Sequence, residues 1–461
     1  MTREDLLDAI GEVDAELVTR AEGRPRRRFP RWVGAVAALL ILAIGVGVFL
    51  GNGLFGTAAY AIERAQYPAM ATYPKNPEAD LGKWMESRRL QRAYFGAGEG
   101  LDGFFTRMTA ELLSGSGNRL YSPLNIYMAL AMLAEVTAGE SREEILSLLG
   151  VDTLEALRTQ AHAIWNANYC DDGIETSILA SSLWLSEDYE YRADTLRTLA
   201  DTYYASSFRG EMGSGGYDRA LQGWLNEQTG GLFGGKLSHL TMPSDTVMAL
   251  ATTLYFTAKW SEEFDRSLTK SGTFHAPNGD MTCDFMHERA SGSYYWGEHF
   301  SAVNKYLDQS GNMWFILPDE GFGVNDLLAD SEALSFLASP TSWEQREGVM
   351  VNLSLPRFDV TSQTEIGESL RRLGVTACFT PEADFSPLLP SGIGASLSRI
   401  EHGARLVLDE KGIKAAAYTV ALCGSATPPR EEVDFTLDRP FLFVLTSRDG
   451  LPLFIGVVEA P

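Results

Sequence analysis

The order of helical and strand-like segments predicts an α+β fold with large, mostly antiparallel sheets. Beyond about residue 96, helical patterns come mostly first and strand-like runs come mostly last. This order is typical of α+β proteins, because alternating segments would instead favour a parallel sheet. The chain has 461 residues, of which 45% are hydrophobic, so it can bury a sizeable core.

The acidic composition argues against nucleic acid as a partner. The formal net charge at pH 7 is -23, and a surface of that charge repels phosphate. The cysteines are widely spaced without a CxxC pair, at Cys170, Cys283, Cys378 and Cys423. This spacing matches no metal-ligand pattern, so we expect free thiols. One or two long-range disulfides are the alternative, because most of the chain is expected to lie outside the membrane, where disulfides can form. No cofactor is expected.

An uncharged apolar run near the N-terminus predicts a transmembrane helix over residues 32–55. No charged residue lies between Arg31 and Glu63, and the run exceeds the roughly 20 residues that span a bilayer. Arginines crowd its N-terminal side, so residues 1–31 are expected in the cytoplasm and the rest outside the cell. The predicted location is therefore single-pass in the cell membrane. A cleaved signal peptide is the alternative, because Ala59–Ala61 has the small-x-small pattern of a cleavage site.

The segments on either side of this run complete the predicted domain organisation. Within residues 1–31, apolar residues at helical spacing predict a short amphipathic helix beside the basic flank. Residues 56–96 contain several prolines and many charges, so we expect an extracytoplasmic linker whose second half has helical character. Residues 97–461 then form one folded domain.

Within this domain, the helical and strand-like runs can be read in order. The run LDGFFTRMTAELLSG has a helical period, and a buried helix follows it. Ser141 and Glu144 then form a capping box that begins the next helix. The strand-like runs end at turn residues. They are SILASSLWLS, VMALATTLYFT, NMWFILP, VMVNLSLPRFDV, ARLVLDE, RPFLFVLTS and LPLFIGVVEAP.

No catalytic or metal-binding motif in the sequence is complete. The histidines form no HExxH pair, and the chain has neither a GxSxG elbow nor a glycine-rich phosphate loop. Ser267–Lys270 matches the SxxK of penicillin-binding enzymes but lacks the separate KTG-like strand and SDN-like element. An exposed loop explains this match better than a surface enzyme of the penicillin-binding type, which is a rival hypothesis.

Several motifs, in order along the chain, resemble the serpin family. NRLYSPLNIYMALAMLAEVTAGESREEILSLLG is similar to the family's second and third helices. LQGWLNEQTGGLF, TLYFTAKWSEEFD and LSLPRFDVTSQTEIGESLRRLGVTACFTPEADFS resemble later segments, and DRPFLFVLTSRDGLPLFIGVVEAP resembles the C-terminal signature. The resemblance runs from roughly Gly96 to Pro461. It implies a serpin fold with large mixed sheets, about eight or nine helices and an exposed reactive-centre loop. With the membrane anchor, it favours a bacterial type.

The resemblance implies a protease inhibitor and not an enzyme. In this family the exposed loop is bait for a serine endopeptidase, which cleaves it and forms an acyl-enzyme. The cut loop then inserts into the large sheet as a new strand, and the attached protease is carried across the domain and distorted. A non-inhibitory serpin that acts as a surface binding or structural protein is the alternative.

The segment after ARLVLDE has the side-chain pattern that such an insertion needs. Glu410, Lys411 and Gly412 form the expected hinge, where glycine supplies backbone freedom. Alternate residues of a strand share a face. One face is small or apolar and consists of Ile413, Ala415, Ala417, Thr419, Ala421 and Cys423. The other face begins with Lys414 and Ala416 and carries the charge and the large aromatic ring.

Further residues match the family's control points around the sheet opening. By resemblance, Ser122 and His402 are shutter residues, and His402 is a structural hydrogen-bond donor, not a catalytic base. The Asn that the family has between them is Thr252 here, and Asn125 is the candidate to supply the missing amide. Trp260 matches the breach, where the new strand begins to enter.

The family's usual spacing predicts the scissile bond. Counting from Glu410 places it at Ala426–Thr427, and a bond up to about three residues later stays open because this loop is longer than common family lengths. A small residue before the bond favours an elastase-like or subtilisin-like serine protease, with a papain-like cysteine protease as the alternative. Arg430 would suit a trypsin-like enzyme, but it follows two prolines.

Overall fold

Ten α-helices and two large β-sheets make up the described residues of the computed structural model. These residues are 59–76, 81–233, 240–390, 394–397, 400–413 and 431–461. They all belong to one unit that runs from Thr57 to Pro461. The predicted α+β class is confirmed, because most of the helices lie in the first half of this unit and most of the strands in the second.

The helices are numbered in chain order. They are α1 (Gly82–Arg92), α2 (Asp102–Leu113), α3 (Pro123–Val136), α4 (Gly139–Leu149), α5 (Leu154–Asn168), α6 (Ala193–Thr202), α7 (Gly215–Gln228), α8 (Val324–Leu327), α9 (Ser331–Ala338) and α10 (Gly367–Arg372). Among the described residues this is more than the eight or nine expected, because α1 comes from the predicted linker and α8 is a single turn.

The first sheet, sheet A, has eight strands among the described residues. They are β1 (Tyr60–Glu63), β3 (Cys170–Asp171), β4 (Thr176–Ser186), β5 (Ala205–Gly210), β6 (Met248–Lys259), β12 (Phe358–Glu365), β13 (Glu401–Asp409) and β14 (Gly412–Ile413). Their spatial order is β1-β5-β4-β6-β14-β13-β12, with β3 beside β4. All pairs are antiparallel except β4–β5.

The second sheet, sheet B, has nine strands in the described part of the chain. They are β2 (Arg119–Tyr121), β7 (Lys270–Ala276), β8 (Gly279–Trp296), β9 (Phe300–Tyr306), β10 (Asn312–Pro318), β11 (Arg346–Pro356), β15 (Glu432–Thr436), β16 (Phe441–Thr446) and β17 (Pro452–Val458). Their order is β15-β11-β8-β9-β10-β16-β17-β2, with β7 beside β8. The β11–β15 pair is parallel, so both sheets are mixed but largely antiparallel.

Helix α3 forms the centre of the core. Every one of its residues is buried, and it contacts β6 of sheet A and β17 of sheet B. The run is almost wholly apolar, which is the pattern of a helix covered on all sides. Ser122 begins it by accepting a hydrogen bond at Oγ from the Asn125 backbone N–H, and Pro123 occupies the first helical position.

The segment predicted as a linker is packed against the folded domain. Its strand β1 forms one edge of sheet A and pairs with β5, from Tyr60 opposite Arg209 to Glu63 opposite Ser207. Its helix α1 buries Trp84, with two polar neighbours, against the rest of the domain. Residues 60–76 and 81–92 therefore do not form the free tether that their proline and charge content predicted.

The predicted location in the cell membrane is corrected. In the part of the chain that the structure describes, no helix is long and apolar enough to cross a bilayer. The longest of these helices, α5, has 15 residues, whereas a span needs about 20 apolar residues. The predicted span over residues 32–55 and the amphipathic segment 1–31 lie outside the described residues.

Three of the four cysteines are free thiols, as expected. Cys170 and Cys378 are buried and Cys283 is partly buried, and Cys423 lies outside the described residues. Burial raises the pKa of Cys378 to about 12 and also raises the pKa of Cys170. Their thiolate forms are therefore scarce at neutral pH, and these two residues are packing groups.

Candidate functional site

The chain reverses direction at Glu410 and Lys411 and re-enters sheet A as β14. This strand lies between β6 and β13 and is antiparallel to both. Gly412 pairs with Lys259 and Asp409, and Ile413 pairs with Ala258 and Leu408. Among the described residues β6 and β13 are joined only through β14, and we call the space between these two strands the sheet opening.

Gly412 is needed where β14 enters the sheet opening. Its φ of +143° is one that side chains rarely adopt, and a Cβ there would lie 2.4 Å from the Ala258 carbonyl oxygen. The same Cβ would lie 2.6 Å from Lys259 Cα. The next residue, Ile413, is buried in the core. The hinge therefore combines a close backbone approach with an apolar anchor.

Trp260 holds the hairpin turn through two hydrogen bonds. Its backbone N–H donates to the Lys411 carbonyl over 3.1 Å, and its indole Nε1 donates to the Asp409 carbonyl over 2.9 Å. Phe264 adds a third bond from its backbone N–H to the Glu410 carbonyl, 3.0 Å away. The predicted breach residue is thus at the end of the sheet opening where β14 begins.

Glu410 is a buried carboxylate with charged and polar partners. Arg357 forms an ion pair with it and donates from Nε over 2.9 Å, and the Thr269 hydroxyl donates over 2.8 Å. Burial by itself would raise the pKa of Glu410, but these hydrogen bonds outweigh it and lower the pKa. Sequence reasoning missed Arg357 and Thr269. The sequence signal for Arg357 was a basic residue in the LPRF segment, between β11 and β12, opposite in charge to Glu410.

His402 and Ser122 meet beneath the other end of the sheet opening, but not as predicted. The Ser122 backbone N–H donates to His402 Nε2 over 3.0 Å, so this nitrogen is an acceptor and the ring is neutral. Burial lowers the pKa of His402 to about 4. The expected donor role is therefore wrong at Nε2.

Asn125 does not replace the missing amide in the described structure. Its side chain is buried, and its Nδ2 has no hydrogen-bond partner among the described residues. Thr252 lines a cavity of about 10 Å³ together with His402. The two residues therefore face the same small space between sheet A and α3.

A larger apolar cavity lies beside the first half of β6, at residues 248–253. Its volume is about 120 Å³. It is lined by Leu221, Leu225, Phe233, Leu250, Thr252 and Gly403, among others. Because these side chains come from α7, β6 and β13, the cavity continues the sheet opening beneath α7.

The remaining site predictions fall on residues that are not described. The inserting positions Ala415, Ala416 and Ala417 and the expected scissile bond Ala426–Thr427 all lie outside the described residues. The structure brings Trp260, Gly412 and Glu410 together at one end of the sheet opening. It brings Ser122, Asn125, Thr252 and His402 together near the other.

Comparison with protein families identifies the fold. The family model "Serpin (serine protease inhibitor)" matches residues 100–461. The chain belongs to the serpin family. Serpin-ZX of Arabidopsis thaliana is 28% identical over 367 residues, which is 76% of this chain and 93% of that protein. Alpha-1-antiproteinase 2 of Equus caballus is 26% identical over 362 residues, which is 76% of this chain and 82% of that protein.

Solved serpin structures have the same fold. The thermophilic serpin Tengpin in its native state gives a TM-score of 0.72 at 23% identity, over 88% of this chain and all (100%) of that one. Arabidopsis AtSerpin1 in its native stressed conformation gives a TM-score of 0.68 at 26% identity, over 82% of this chain and 98% of that one. The relatives named come from a plant and a mammal, so neither the bacterial type nor the membrane anchor is supported.

Replacing Gly412 with alanine should destabilise the hinge. The added Cβ meets β6 backbone atoms at 2.4 and 2.6 Å in a strained φ region, so we expect a loss of about 2 kcal/mol in the free energy of unfolding. Urea titration measures this loss. Gly403→Ala is the matched control, because its Cβ would lie 3.5 Å from the Phe233 ring in ordinary contact. Equal midpoints for the two variants would contradict the assignment.

His402 should make the stability of the protein depend on pH. The pKa is about 6.5 in the unfolded chain and about 4 in the folded one, so the neutral ring stabilises the fold fully above pH 6.5 and this is lost as pH falls towards 4. Between pH 6 and 5 the wild type should lose about 1 kcal/mol per pH unit more than His402→Gln. Parallel pH profiles in urea titrations would refute this role.

Proposed function

We propose that this serpin is a suicide inhibitor of serine endopeptidases and has no catalytic activity of its own. The observation that carries the proposal is the position of β14. The chain that leads into the reactive-centre loop already pairs with both β6 and β13, in the orientation that an inserted strand would keep. Continuing this strand requires no new turn of the backbone, only more of the same pairing.

The proposed reaction couples bond cleavage to strand insertion. The target's serine oxygen bonds to the carbonyl carbon of the scissile residue, and the peptide C–N bond breaks as the amine of the next residue leaves. The N-terminal part of the loop, still esterified to the protease, is then free to extend β14. Insertion separates the acyl group from the released amine and moves the protease away from the geometry that hydrolysis needs.

We propose that the inserted loop continues the register observed for Gly412 and Ile413. Continued residue by residue, it places Ala417 opposite Leu254 and Ala404. It would place Thr419 opposite Thr252 and His402. Cys423 would then lie opposite Met248, the first residue of β6. The strand that would fill the length of β6 is therefore 412–423.

The buried face of β13 supports this register. Its alternate residues His402, Ala404, Leu406 and Leu408 are buried. In the extended register their partners are the odd-numbered loop residues, and Ile413 is the one already seated there. The small and apolar loop face identified in the sequence would thus turn into the core, while Ala416 would turn to the outer face beside Arg405.

The proposed class of target protease follows from the loop sequence. We propose cleavage at Ala426–Thr427 by an elastase-like or subtilisin-like enzyme, since the side chain before the bond is small. A papain-like cysteine protease is the second class. Likeness in fold does not decide between inhibitor and carrier, because a complex of thyroxine-binding globulin with thyroxine also matches, at 21% identity and a TM-score of 0.65.

A protease panel tests the proposal directly. The full chain is incubated with elastase-like, subtilisin-like, trypsin-like and papain-like proteases, and the mixtures are separated under denaturing conditions. We expect a covalent complex with an elastase-like or subtilisin-like enzyme, because the ester bond survives denaturation, and a released fragment that begins at Thr427. Cleavage of the loop by every protease without any stable complex would favour the non-inhibitory alternative.

Two neighbouring alanines test the direction of insertion. Ala417→Glu would place a carboxylate between Leu254 and Ala404, which are 8% and 3% exposed, so insertion should fail and the protein should become a substrate. Ala416→Glu would face outwards and should still trap the protease. Complex yield on denaturing gels gives the result. Equal yields for the two variants would refute the register.

A further inference from the structure

The N-terminal arm, residues 59–76 with α1, runs along sheet A to the end where the loop would enter. Strand β1 pairs with β5, and the Tyr67 ring packs against Trp165, with 5.2 Å between ring centroids. The Tyr73 backbone N–H then donates to the Asp172 carbonyl over 2.7 Å, in the turn between β3 and β4. The family match begins at residue 100, so the arm lies outside it.

Arg88 of α1 is the centre of a buried ionic network at this turn. Arg88, Asp172 and Glu175 are only 3%, 0% and 4% exposed. Arg88 Nε donates to Asp172 Oδ2 over 2.9 Å, and Nη1 donates to Glu175 Oε2 over 3.0 Å. Nη2 lies 2.7 Å from Asp172 Oδ2 as an ion-pair contact without hydrogen-bond alignment. The indole Nε1 of Trp84 also donates to Asp172, over 2.6 Å.

Glu175 carries this network across to sheet B. It directly precedes β4, and its Oε1 accepts a hydrogen bond from the Ser310 hydroxyl over 2.7 Å. Ser310 lies in the turn between β9 and β10. The same turn holds the end of β6, because the Asp308 backbone N–H donates to the Lys259 carbonyl over 2.8 Å and Leu307 pairs with Trp260. Strands β4 and β6 are therefore fastened to one turn of sheet B at the entry end.

We infer that Arg88 is a positioning residue for strand insertion. It holds Glu175 against Ser310 and so keeps β4 and β6 in the place where β14 already lies between β6 and β13. Buried carboxylates need a cation and hydrogen bonds to remain charged, so losing Arg88 would displace Glu175 or draw in water. The entry end could then shift, and insertion would slow relative to hydrolysis of the acyl-enzyme. This inference rests on the proposed inhibitory function.

The test measures how many inhibitor molecules are consumed for each protease molecule inactivated. The full chain is titrated against the protease that the panel identifies. Arg88→Met removes the cation, and Ser310→Ala removes the link to sheet B while leaving the buried ion pairs intact. Both should raise the ratio about fivefold, the change that a modest loss of insertion rate produces. Arg89→Met is the control, because Arg89 is exposed and its one ion-pair partner among the described residues is Glu86 on the same helix.

A second control separates positioning from general loss of stability. Ile316→Val removes one buried methyl group from β10 and should lower stability without raising the ratio. If it raises the ratio as much as Ser310→Ala does, the inference is overturned. If Arg88→Met does not fold, Ser310→Ala decides the outcome. Wild-type ratios in both test variants would overturn the inference and leave the proposed function standing, whereas a wild type that traps no protease would remove both.

Discussion

Everything proposed for this serpin depends on one backbone arrangement, the seating of a two-residue strand between β6 and β13. Strands inside a sheet need partners for their N–H and C=O groups on both sides. In the described residues Gly412 and Ile413 supply such partners to both neighbours at once. Extending that pairing by about a dozen ladder bonds, at about 1 kcal/mol each, would release on the order of 10 kcal/mol. That is comparable to the stability of a whole domain, so insertion can drive a large displacement.

The hinge is held from several directions, which explains its composition. Trp260 binds the turn on one side, and the Arg357 ion pair holds Glu410 on the other. Gly412 is the residue that lets the backbone pass close to Ala258. A bulky residue would push the strand away, and a neutral residue in place of Glu410 would leave Arg357 without this partner. Small changes at this turn should therefore affect both the stability of the fold and the first step of the proposed insertion.

The far end of the sheet opening is organised differently. There the buried neutral ring of His402 accepts a backbone hydrogen bond at the start of α3, so the core helix and sheet A meet through a polar contact in an apolar setting. Asn125, at the start of the same helix, has no partner for its Nδ2 in the part of the chain that the structure describes. A buried amide without a partner costs stability.

The sequence by itself determined the elements, and the tertiary structure decided which of them meet. Periodicity and strand-like runs suffice for the α+β class, for buried α3 and for the alternating loop face, because these patterns depend on neighbours a few residues apart. The capping box predicted at Ser141 and Glu144 is wrong, because the helix begins at Gly139 and Glu144 instead accepts hydrogen bonds from Thr376 and Ala377. The ion pairs of Glu410 with Arg357 and of Arg88 with Glu175 join residues far apart in the chain, so no local sequence pattern predicts them. The same limit explains why residues 56–96 were predicted to be a linker, since the burial of a polar side chain such as Arg88 depends on partners that are distant in the sequence. Which nitrogen of His402 accepts a hydrogen bond was likewise set by the Ser122 backbone that folding places beside it.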